Sequence, residues 1–197
     1  TREVVERFSS AYPNVRYCLE TRVGLSHARN RGWTEAAGMY VGYMDDDCEV
    51  PFYWLAVAQE VIEALYPGAL GGPYTPFYRA RKPKWFKDSY GGATHGDRAR
   101  PLHTSEYLSG GNVFFRKSIL ETLGGFDWRL GMTGHKTGYG EETYVQERLR
   151  SMFPGEPIYY EPRLSVSHLV KPEQMTIRWV LGAHIAKGRY RYWTSGA

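Results

Sequence analysis

Three adjacent carboxylates follow a short apolar run and are the residues best suited to chemistry in this sequence. Tyr40–Met44 is predicted to be a buried strand, and Asp45, Asp46 and Asp47 come directly after it. Three like charges in a row repel one another unless solvent or a cation screens them. A divalent cation shared between one or two carboxylates and a substrate phosphate would screen them. The alternative is a solvated acidic turn in which Asp47 or Glu49 caps the next helix, and the position at a strand end favours the metal or phosphate site.

A second acidic pair opens a predicted helix after a glycine-rich loop, in the order Gly140, Glu141, Glu142. Acids in the first turn of a helix complement its dipole, and this alone would explain both residues. They could instead supply a general base, because a carboxylate crowded by other acids has a raised pKa and accepts a proton from a hydroxyl more readily. The spacing leaves both interpretations open.

Three further features are weaker candidates. His168 closes a predicted strand and would be a metal ligand only if other ligands converge on it. Gly110, Gly111 and Asn112 interrupt another predicted strand, a pattern that marks either a structural bulge or the close approach of a ligand or backbone. Arg29 lies in the middle of a predicted helix, where it would reach either a phosphate or a surface carboxylate.

The elements that must position these residues alternate between strand and helix in the first half of the chain. Such alternation implies parallel strands in an α/β sheet, with ligands beyond the carboxyl ends of the strands. Predicted helices span residues 1–8, 25–37, 52–65, 117–123, 141–152 and 175–192, and predicted strands span residues 15–19, 40–44, 69–74, 106–115, 158–160 and 164–168. Periodicity fails between residues 75 and 103, a length unusual for a connection, so we expect this segment to be functional.

Length and composition limit the class of protein. With 197 residues the chain suits one domain, and a net charge of +4 favours anionic ligands or surfaces but falls short of a nucleic-acid-binding signature. Two cysteines exclude a disulfide framework and favour a reducing compartment. The sequence shows neither a signal-peptide pattern nor a run long enough to span a bilayer, so we expect a cytoplasmic location.

Taken together and in this order, the motifs resemble those of the family-two glycosyltransferases, the large inverting group with the A-type nucleotide-sugar fold. The stretches that carry the resemblance are Gly24–Gly32, Ala36–Gly38, Met44–Asp47, Ser109–Lys117, Leu123–Asp127, Gly140–Glu142, Glu147–Arg150, Tyr160–Pro162 and His168. They are similar, in turn, to the stretch leading into the family's D-x-D motif, to its acceptor-side strand and helix, and to its catalytic helix with the terminal metal-site histidine.

This resemblance implies a Rossmann-like α/β fold, with a mixed, mainly parallel sheet flanked by helices. Residues 1–172 would form the transferase domain, and residues 173–197 a basic, aromatic C-terminal helix. Thr1–Phe8 resembles the helix that follows the family's first strand–helix–strand unit, so we expect that unit to be missing from this chain.

The implied reaction is the metal-dependent, inverting transfer of a sugar from a nucleoside-diphosphate sugar to a hydroxyl of a glycan or lipid-linked acceptor. Asp47, with Asp45 and His168, would hold Mg²⁺ or Mn²⁺ against the diphosphate. Glu142, beside Glu141, would accept the proton of the acceptor hydroxyl. The family usually has Glu-Asp at this position, so the base of this chain would carry one more methylene group.

Other residues would hold the two substrates. Arg29 and Asp46 would help to bind the donor, and His135 lies with Trp128 in a candidate lid. The residues expected to line the sugar or acceptor side are Gly110, Gly111, Asn112, Trp85 and Trp128.

The C-terminal segment Met175–Trp193 combines a helical apolar pattern with basic and aromatic residues. It would either pack on the sheet, which the pattern favours, or lie against an anionic membrane and place the protein at the inner face of that membrane. Two other functions would fit the acidic cluster: a metal-dependent phosphohydrolase, and a non-catalytic domain that binds a glycan or a partner.

Overall fold

The computed structural model describes residues 2–134 and 138–195. The helices are α1 (Arg2–Ala11), α2 (Leu25–Glu35), α3 (Trp54–Leu65), α4 (Lys117–Leu123), α5 (Glu141–Met152) and α6 (Ile177–Ser195). The strands are β1 (Tyr40–Met44), β2 (Cys48–Glu49), β3 (Ala69–Gly71), β4 (Tyr74–Phe77), β5 (Arg100–Pro101), β6 (Asn112–Arg116), β7 (Ile158–Tyr160) and β8 (Val166–Leu169). Short 3₁₀ turns occur at Asp88–Tyr90 and Pro172–Met175.

The larger sheet has five strands in the order β1-β6-β3-β7-β5. Strands β1, β3 and β7 run in one direction, whereas β6 is antiparallel to β1 and β3, and β5 is antiparallel to β7. The mixed α/β sheet expected from the sequence is confirmed, but the expectation that it is mainly parallel is wrong, because only β3 and β7 pair in parallel in this sheet. Strands β1 and β3 share a direction, as their helical connection requires, but a strand from the second half of the chain lies between them.

The smaller sheet has three strands in the order β2-β8-β4 and brings the acidic turn to His168. Its register places Cys48, the residue after Asp47, opposite His168. The single strand predicted for residues 69–74 is wrong, because β3 joins the larger sheet and β4 the smaller one. The chain changes sheets at Gly72, where an added Cβ would lie 2.5 Å from the carbonyl oxygens of Glu161 and Leu164. Only glycine allows the strands to approach so closely there.

Both faces of the larger sheet are covered by helices. Alternation along β6 sends Val113 and Phe115 into one apolar cluster, with α4 and α5, and sends Phe114 into another, with α3. This two-sided burial explains why the residues of β6 are buried along its whole length. It also gives β1, which pairs with β6, a rigid base from which to present the acidic residues that follow.

Three other sequence expectations need correction. Residues 15–19 run without a strand partner among the described residues, and most of their side chains are exposed. The strand predicted for residues 106–115 begins only at Asn112, because Gly110 and Gly111 lie in the preceding turn. Helix α3 begins at Trp54 rather than at residue 52, since the Trp54 N–H donates to the Pro51 carbonyl within a turn.

Candidate active site

Arg29 connects the acidic strand end to the start of α5. This residue is only 7% exposed, although it is charged and lies in the middle of α2. Its Nη1 donates to Glu141 Oε1 at 2.6 Å, and its Nη2 lies 3.8 Å from Asp45 Oδ1. The salt bridge suggested by the sequence exists but is not a surface one, because the guanidinium is buried between two carboxylates. Contact with a donor phosphate stays a prediction.

The position of α2 is set by the loop that follows α4. The Leu25 N–H donates to the Met132 carbonyl at 2.8 Å, and the Ser26 hydroxyl donates to the Leu130 carbonyl at 2.8 Å. One turn later, the Asn30 side chain donates to the Phe126 carbonyl and accepts from the Phe126 N–H, both at 2.8 Å. The helix that carries Arg29 is therefore fastened to the loop that precedes α5.

Gly110 and Gly111 let two of the candidate residues approach the backbone. A Cβ at Gly110 would lie 2.5 Å from Arg29 Nη2, and one at Gly111 would lie 2.5 Å from Asp45 Oδ2. These contacts are neither a bulge nor the approach of a ligand or of backbone, which were the two explanations expected from the sequence. What approaches in the structure is the side chains of Arg29 and Asp45.

Asn112 lies in the core, which corrects its expected place on the sugar or acceptor side. Its side chain is fully buried, and its amide donates to the carbonyls of Pro73 and Leu164 at 3.0 and 2.7 Å. These bonds join β6 to the start of β4 and to the turn before β8. Its role in this structure is to hold the two sheets together.

Asp45 faces Tyr74 and Arg29. The Tyr74 hydroxyl donates to Asp45 Oδ2 at 3.2 Å and accepts from the Cys48 thiol at 3.6 Å. Burial, and then the negative charge of Asp45, raise the pKa of Tyr74, so its hydroxyl keeps its proton. Burial likewise raises the pKa of the Cys48 thiol to about 11, so Cys48 is a neutral donor at neutral pH.

Asp47 points instead towards β8 and the residues after it. Its Oδ1 lies 3.8 Å from His168 Nε2, and its Oδ2 accepts from the Lys171 ammonium at 3.1 Å. Between Asp45 and Asp47, Asp46 is exposed in the turn. The three acids therefore face different directions.

His168 is held in an orientation that suits metal binding. Its ring stacks on Tyr74 with centroids 4.7 Å apart, and its Nδ1 lies 3.0 Å from the Gly91 carbonyl. A carbonyl only accepts, so Nδ1 carries a proton in this contact, and Nε2 is the ring nitrogen that faces Asp47. Metal-binding histidines are typically oriented by such a second contact.

The donor set fits a divalent cation that is completed by substrate oxygens. Within residues 2–134 and 138–195, no group of three or more His, Cys, Asp or Glu side chains is close enough to hold a metal. Asp47 and His168 offer one carboxylate and one imidazole, whereas Asp45 faces the Tyr74 hydroxyl and Arg29. Magnesium-type sites commonly use one or two carboxylates and take further oxygens from a substrate phosphate, and imidazole also suits transition metals.

Glu141 and Glu142 differ in accessibility. Glu141 is only 4% exposed, and its Oε2 has no hydrogen-bond partner among the described residues. Burial, and then the charge of Glu142, raise its pKa to about 7, although Arg29 opposes this rise. Glu142 is partly exposed on the next position of the same helix. Glu142 is therefore the acid of this pair that can reach a substrate.

A cavity of about 470 Å³ lies between α2 and β1, within the usual range for ligand sites. Arg29 and Asp45 belong to its lining, together with the strand residues before Asp45. A second cavity of about 640 Å³ adjoins it, since Ala28, Gly32 and Ala36 line both. Two of the four candidate donor residues thus border open space large enough for a small molecule.

The two tryptophans predicted on the acceptor side lie in different loops. Trp85 is exposed and contacts the rings of Phe86 and Tyr90. Trp128 is exposed in the loop after α4 and stacks on His27 with centroids 6.3 Å apart. His135 lies outside the described residues.

Tyr74 and Lys171 are site residues that sequence reasoning missed. In the sequence, Tyr74 is simply an aromatic residue at the end of a predicted strand. Nothing in the sequence links it to Asp45, which lies twenty-nine positions earlier. Lys171 had a weak signal, since it lies just after the predicted strand that ends at His168. Both residues reach the site because β4 pairs with β8.

The topology and this site together define an α/β domain of the A-type nucleotide-sugar class. Residues 1–124 match the family model described as glycosyl transferase family 2. This match covers more than half of the chain, and the chain belongs to that family.

A curated relative and two solved structures agree with this assignment. Glucosyl-dolichyl phosphate glucuronosyltransferase from Haloferax volcanii is 26% identical over 171 residues, which are 85% of this chain and 54% of the relative. The chain therefore spans about half the length of this relative. GalNAc-T7, solved with UDP, GalNAc and Mn²⁺, has a TM-score of 0.63 at 17% identity, covering 93% of this chain and 39% of that one.

The second structure is the mannosyltransferase PcManGT from Pyrobaculum calidifontis in complex with GDP-Man and Mn²⁺. It has a TM-score of 0.59 at 22% identity, covering 87% of this chain and 45% of that one. At such identities the likeness establishes the fold.

Proposed function

We propose that this chain is the catalytic part of a metal-dependent, inverting glycosyltransferase. It would move a sugar from a nucleoside-diphosphate donor to a hydroxyl of a lipid-linked or glycan acceptor. The observation that carries the proposal is the bridge formed by Arg29, which contacts both Asp45 and Glu141. That bridge brings an acidic strand end and an acidic helix start to one place, as transfer between two substrates requires.

On the donor side, Asp47 and His168 would hold Mg²⁺ or Mn²⁺. When bound, the cation would stabilise the charge that develops on the leaving diphosphate. The Gly91 carbonyl keeps His168 in the tautomer that can ligate, and Lys171 neutralises Asp47 until a cation replaces it. The likeness to structures titled with Mn²⁺ and nucleotide sugars supports this proposal.

On the acceptor side, Glu142 would accept the hydroxyl proton, an effect typically worth about 10²–10⁴-fold in rate. Glu141 would act differently, because it is buried and bound to Arg29. We assign Arg29 and Glu141 as positioning residues that fix α5 relative to Asp45. The name of the Haloferax relative, which contains a dolichyl phosphate, supports a lipid-linked acceptor.

The test is sugar transfer with the isolated chain, using UDP- and GDP-sugars, a polyprenyl-phosphate-linked sugar and Mn²⁺. Asp47→Ala and Glu142→Gln should each lower transfer at least about 100-fold, since one removes the metal ligand and the other removes the base. The matched control is Glu63→Gln, a surface carboxylate on α3 that contacts only Gln59 among the described residues.

Full activity in both site variants would reject the site assignment. Release of phosphate from simple phosphoesters, without a sugar acceptor, would instead identify a phosphohydrolase. Glycan binding by calorimetry, with no response to any nucleotide sugar, would identify a binding domain.

A further inference from the structure

Helix α6 has apolar residues on two opposite faces. One face is buried against the protein through Val180, Ala183, Ala186 and Tyr190. The opposite face carries Ile177, Leu181, Ile185 and Tyr192, which are between 57% and 83% exposed. Their spacing of four, four and seven residues places them on one side of the helix. Packing on the protein needs only the first face, whereas Ile177, Leu181 and Ile185 on the second face are exposed to solvent.

Cations flank this exposed stripe. Arg178 and Arg189 are exposed and fall next to Ile185 around the helix. Neither residue forms an ion pair within the described ranges of the chain. Lys187 lies near the ring of Tyr139, at 5.3 Å from its centroid. The outward face of α6 thus combines aliphatic side chains with arginines that lack counter-charges.

A basic loop between β4 and the first 3₁₀ turn lies beside α6. Arg81, Lys84 and Lys87 are exposed, and no ion pair to them occurs in the part of the chain that the structure describes. The loop is fixed by Phe86, which is only 2% exposed and belongs to one apolar cluster with Val180. The same cluster contains Val170 and Met175, which precede α6.

The basic loop also leads directly to the candidate metal site. A few residues after Lys87, the Gly91 carbonyl contacts His168 Nδ1 at 3.0 Å. At the other end of the cluster, Val170 lies between His168 and Lys171 in the chain. One apolar cluster therefore joins the basic loop, α6 and the residues that face Asp47.

We propose that the basic loop (residues 79–87) and the outward face of α6 form one docking surface for an anionic phospholipid bilayer. Exposed aliphatic side chains beside unpaired cations are the combination that binds such an interface, with each cation contributing through the anionic headgroups. The proposal rests on the proposed function and deepens it, because a lipid-linked acceptor would be presented from that bilayer next to the site.

Other occupants fit less well. A second copy of this chain would bring the same uncompensated cations against each other. A soluble polyanion would pair with the cations but would gain nothing from Leu181 and Ile185. Within residues 2–134 and 138–195, no helix is long and apolar enough to cross a membrane, so the proposed contact is one at the surface.

The test is sedimentation of the chain with vesicles of phosphatidylcholine alone or with about 30% phosphatidylglycerol, which supplies the anionic headgroups, without donor or acceptor. We expect binding to the anionic vesicles, weakened several-fold by about 0.5 M salt. Arg81→Glu/Lys84→Glu/Lys87→Glu should lower the affinity at least about 100-fold, at about fivefold per cation. Leu181→Ser/Ile185→Ser should lower it about 10- to 100-fold.

Matched controls lie outside the docking surface. Arg98→Glu reverses an exposed charge in the loop before β5, and Leu55→Ser removes an exposed leucine of α3. Both should bind vesicles like the unmodified chain, and circular dichroism verifies that every variant is folded.

The proposal would be overturned by no binding to anionic vesicles, by equal losses in the controls, or by vesicle binding that is unchanged in Leu181→Ser/Ile185→Ser. A dimer in light scattering that the same substitutions dissociate, without vesicle binding, would also overturn it. Because no sugar is transferred in this assay, its failure would leave the proposed transferase reaction to be judged by its own test.

Discussion

Adjacent carboxylates occur at two places in this protein, and the fold uses them differently. At the start of α5, Glu141 is buried and paired with Arg29 at 2.6 Å. In the turn after β1, the side chains of Asp45 and Asp47 remain 38% and 18% exposed, and their cationic contacts are longer. A buried, paired carboxylate is costly to disturb and suits positioning, whereas an accessible one can exchange its partner for a ligand.

The largest effect should come from the cation that connects these two regions. Arg29→Met would leave Glu141 buried without its partner, so we expect a loss of about 3 kcal/mol in the free energy of unfolding at pH 8. Urea denaturation measures this loss. Arg31→Met is the matched control, because Arg31 lies on the same helix in an exposed pair with Glu35 and should cost less than about 1 kcal/mol. Equal losses in the two variants would contradict the distinction drawn between buried and accessible pairs.

The second prediction concerns how the stability of the buried region depends on pH. The pKa of Glu141 is raised from 4.5 to about 7, so the folded state holds its proton more tightly than the unfolded state does. Stability from this group is complete below pH 4.5 and is lost as the pH rises through about 7. Glu141→Gln cannot titrate, so the unmodified chain should lose about 2–3 kcal/mol relative to this variant between pH 5 and pH 8.

Urea denaturation at several pH values provides this comparison. Glu63→Gln, which removes an exposed carboxylate, should retain the pH dependence of the unmodified chain. If Glu141→Gln showed that same pH dependence, the pH dependence of the unmodified chain would not come from Glu141, and its pKa would not be raised.

The third prediction uses the glycine against which Arg29 packs. Gly110→Ala would place a Cβ 2.5 Å from the buried guanidinium, so we expect a cost of about 1–3 kcal/mol in thermal or urea unfolding. Gly182→Ala is the control, because it lies in α6 with open space around its Cβ position. That variant should be stabilised by about 0.5–1 kcal/mol. Unchanged stability in Gly110→Ala would mean that Arg29 can move away from β6 at little cost.

The smallest changes in stability should occur in the acidic turn. Asp47→Asn and Lys171→Met each remove one side of a partly exposed pair, so each should change stability by less than about 1 kcal/mol. Their effects on Mn²⁺ binding should be opposite: weaker in Asp47→Asn, and tighter in Lys171→Met, which removes a competing cation. Calorimetric titration with Mn²⁺ alone measures both, and the same direction of change in the two variants would reject the exchange of Lys171 for a metal.

Local patterns predicted the elements whose boundaries depend on their own residues. Helices α4 and α5 and strands β1 and β7 begin and end where the sequence indicated. Residues 15–19 alternate like a strand, but they have no strand partner among the described residues. Strand β6, in contrast, does find partners, and these are distant in sequence. It pairs with β1 and β3, which precede it by more than forty residues.

The candidate site shows the same division. The sequence picked out the carboxylates, His168 and the two glycines by residue type and motif. The choice of Glu142 as the base came only from the resemblance, because the different burial of Glu141 and Glu142 depends on α2 and on the loop before α5. It placed Asn112 at the acceptor side, whereas the meeting of two sheets buries that side chain between backbone carbonyls.

By itself, therefore, the sequence determined the chemical inventory, the α/β class and the strand end that carries the acids. These follow from side-chain type and from periodicity over a few residues, and both are local properties. Only the tertiary structure decided which carboxylate is buried, which cation pairs with it, and which way each Asp of the turn faces. Those outcomes depend on solvent exclusion and on Coulomb interactions, which act between residues that are close in space whatever their distance along the chain.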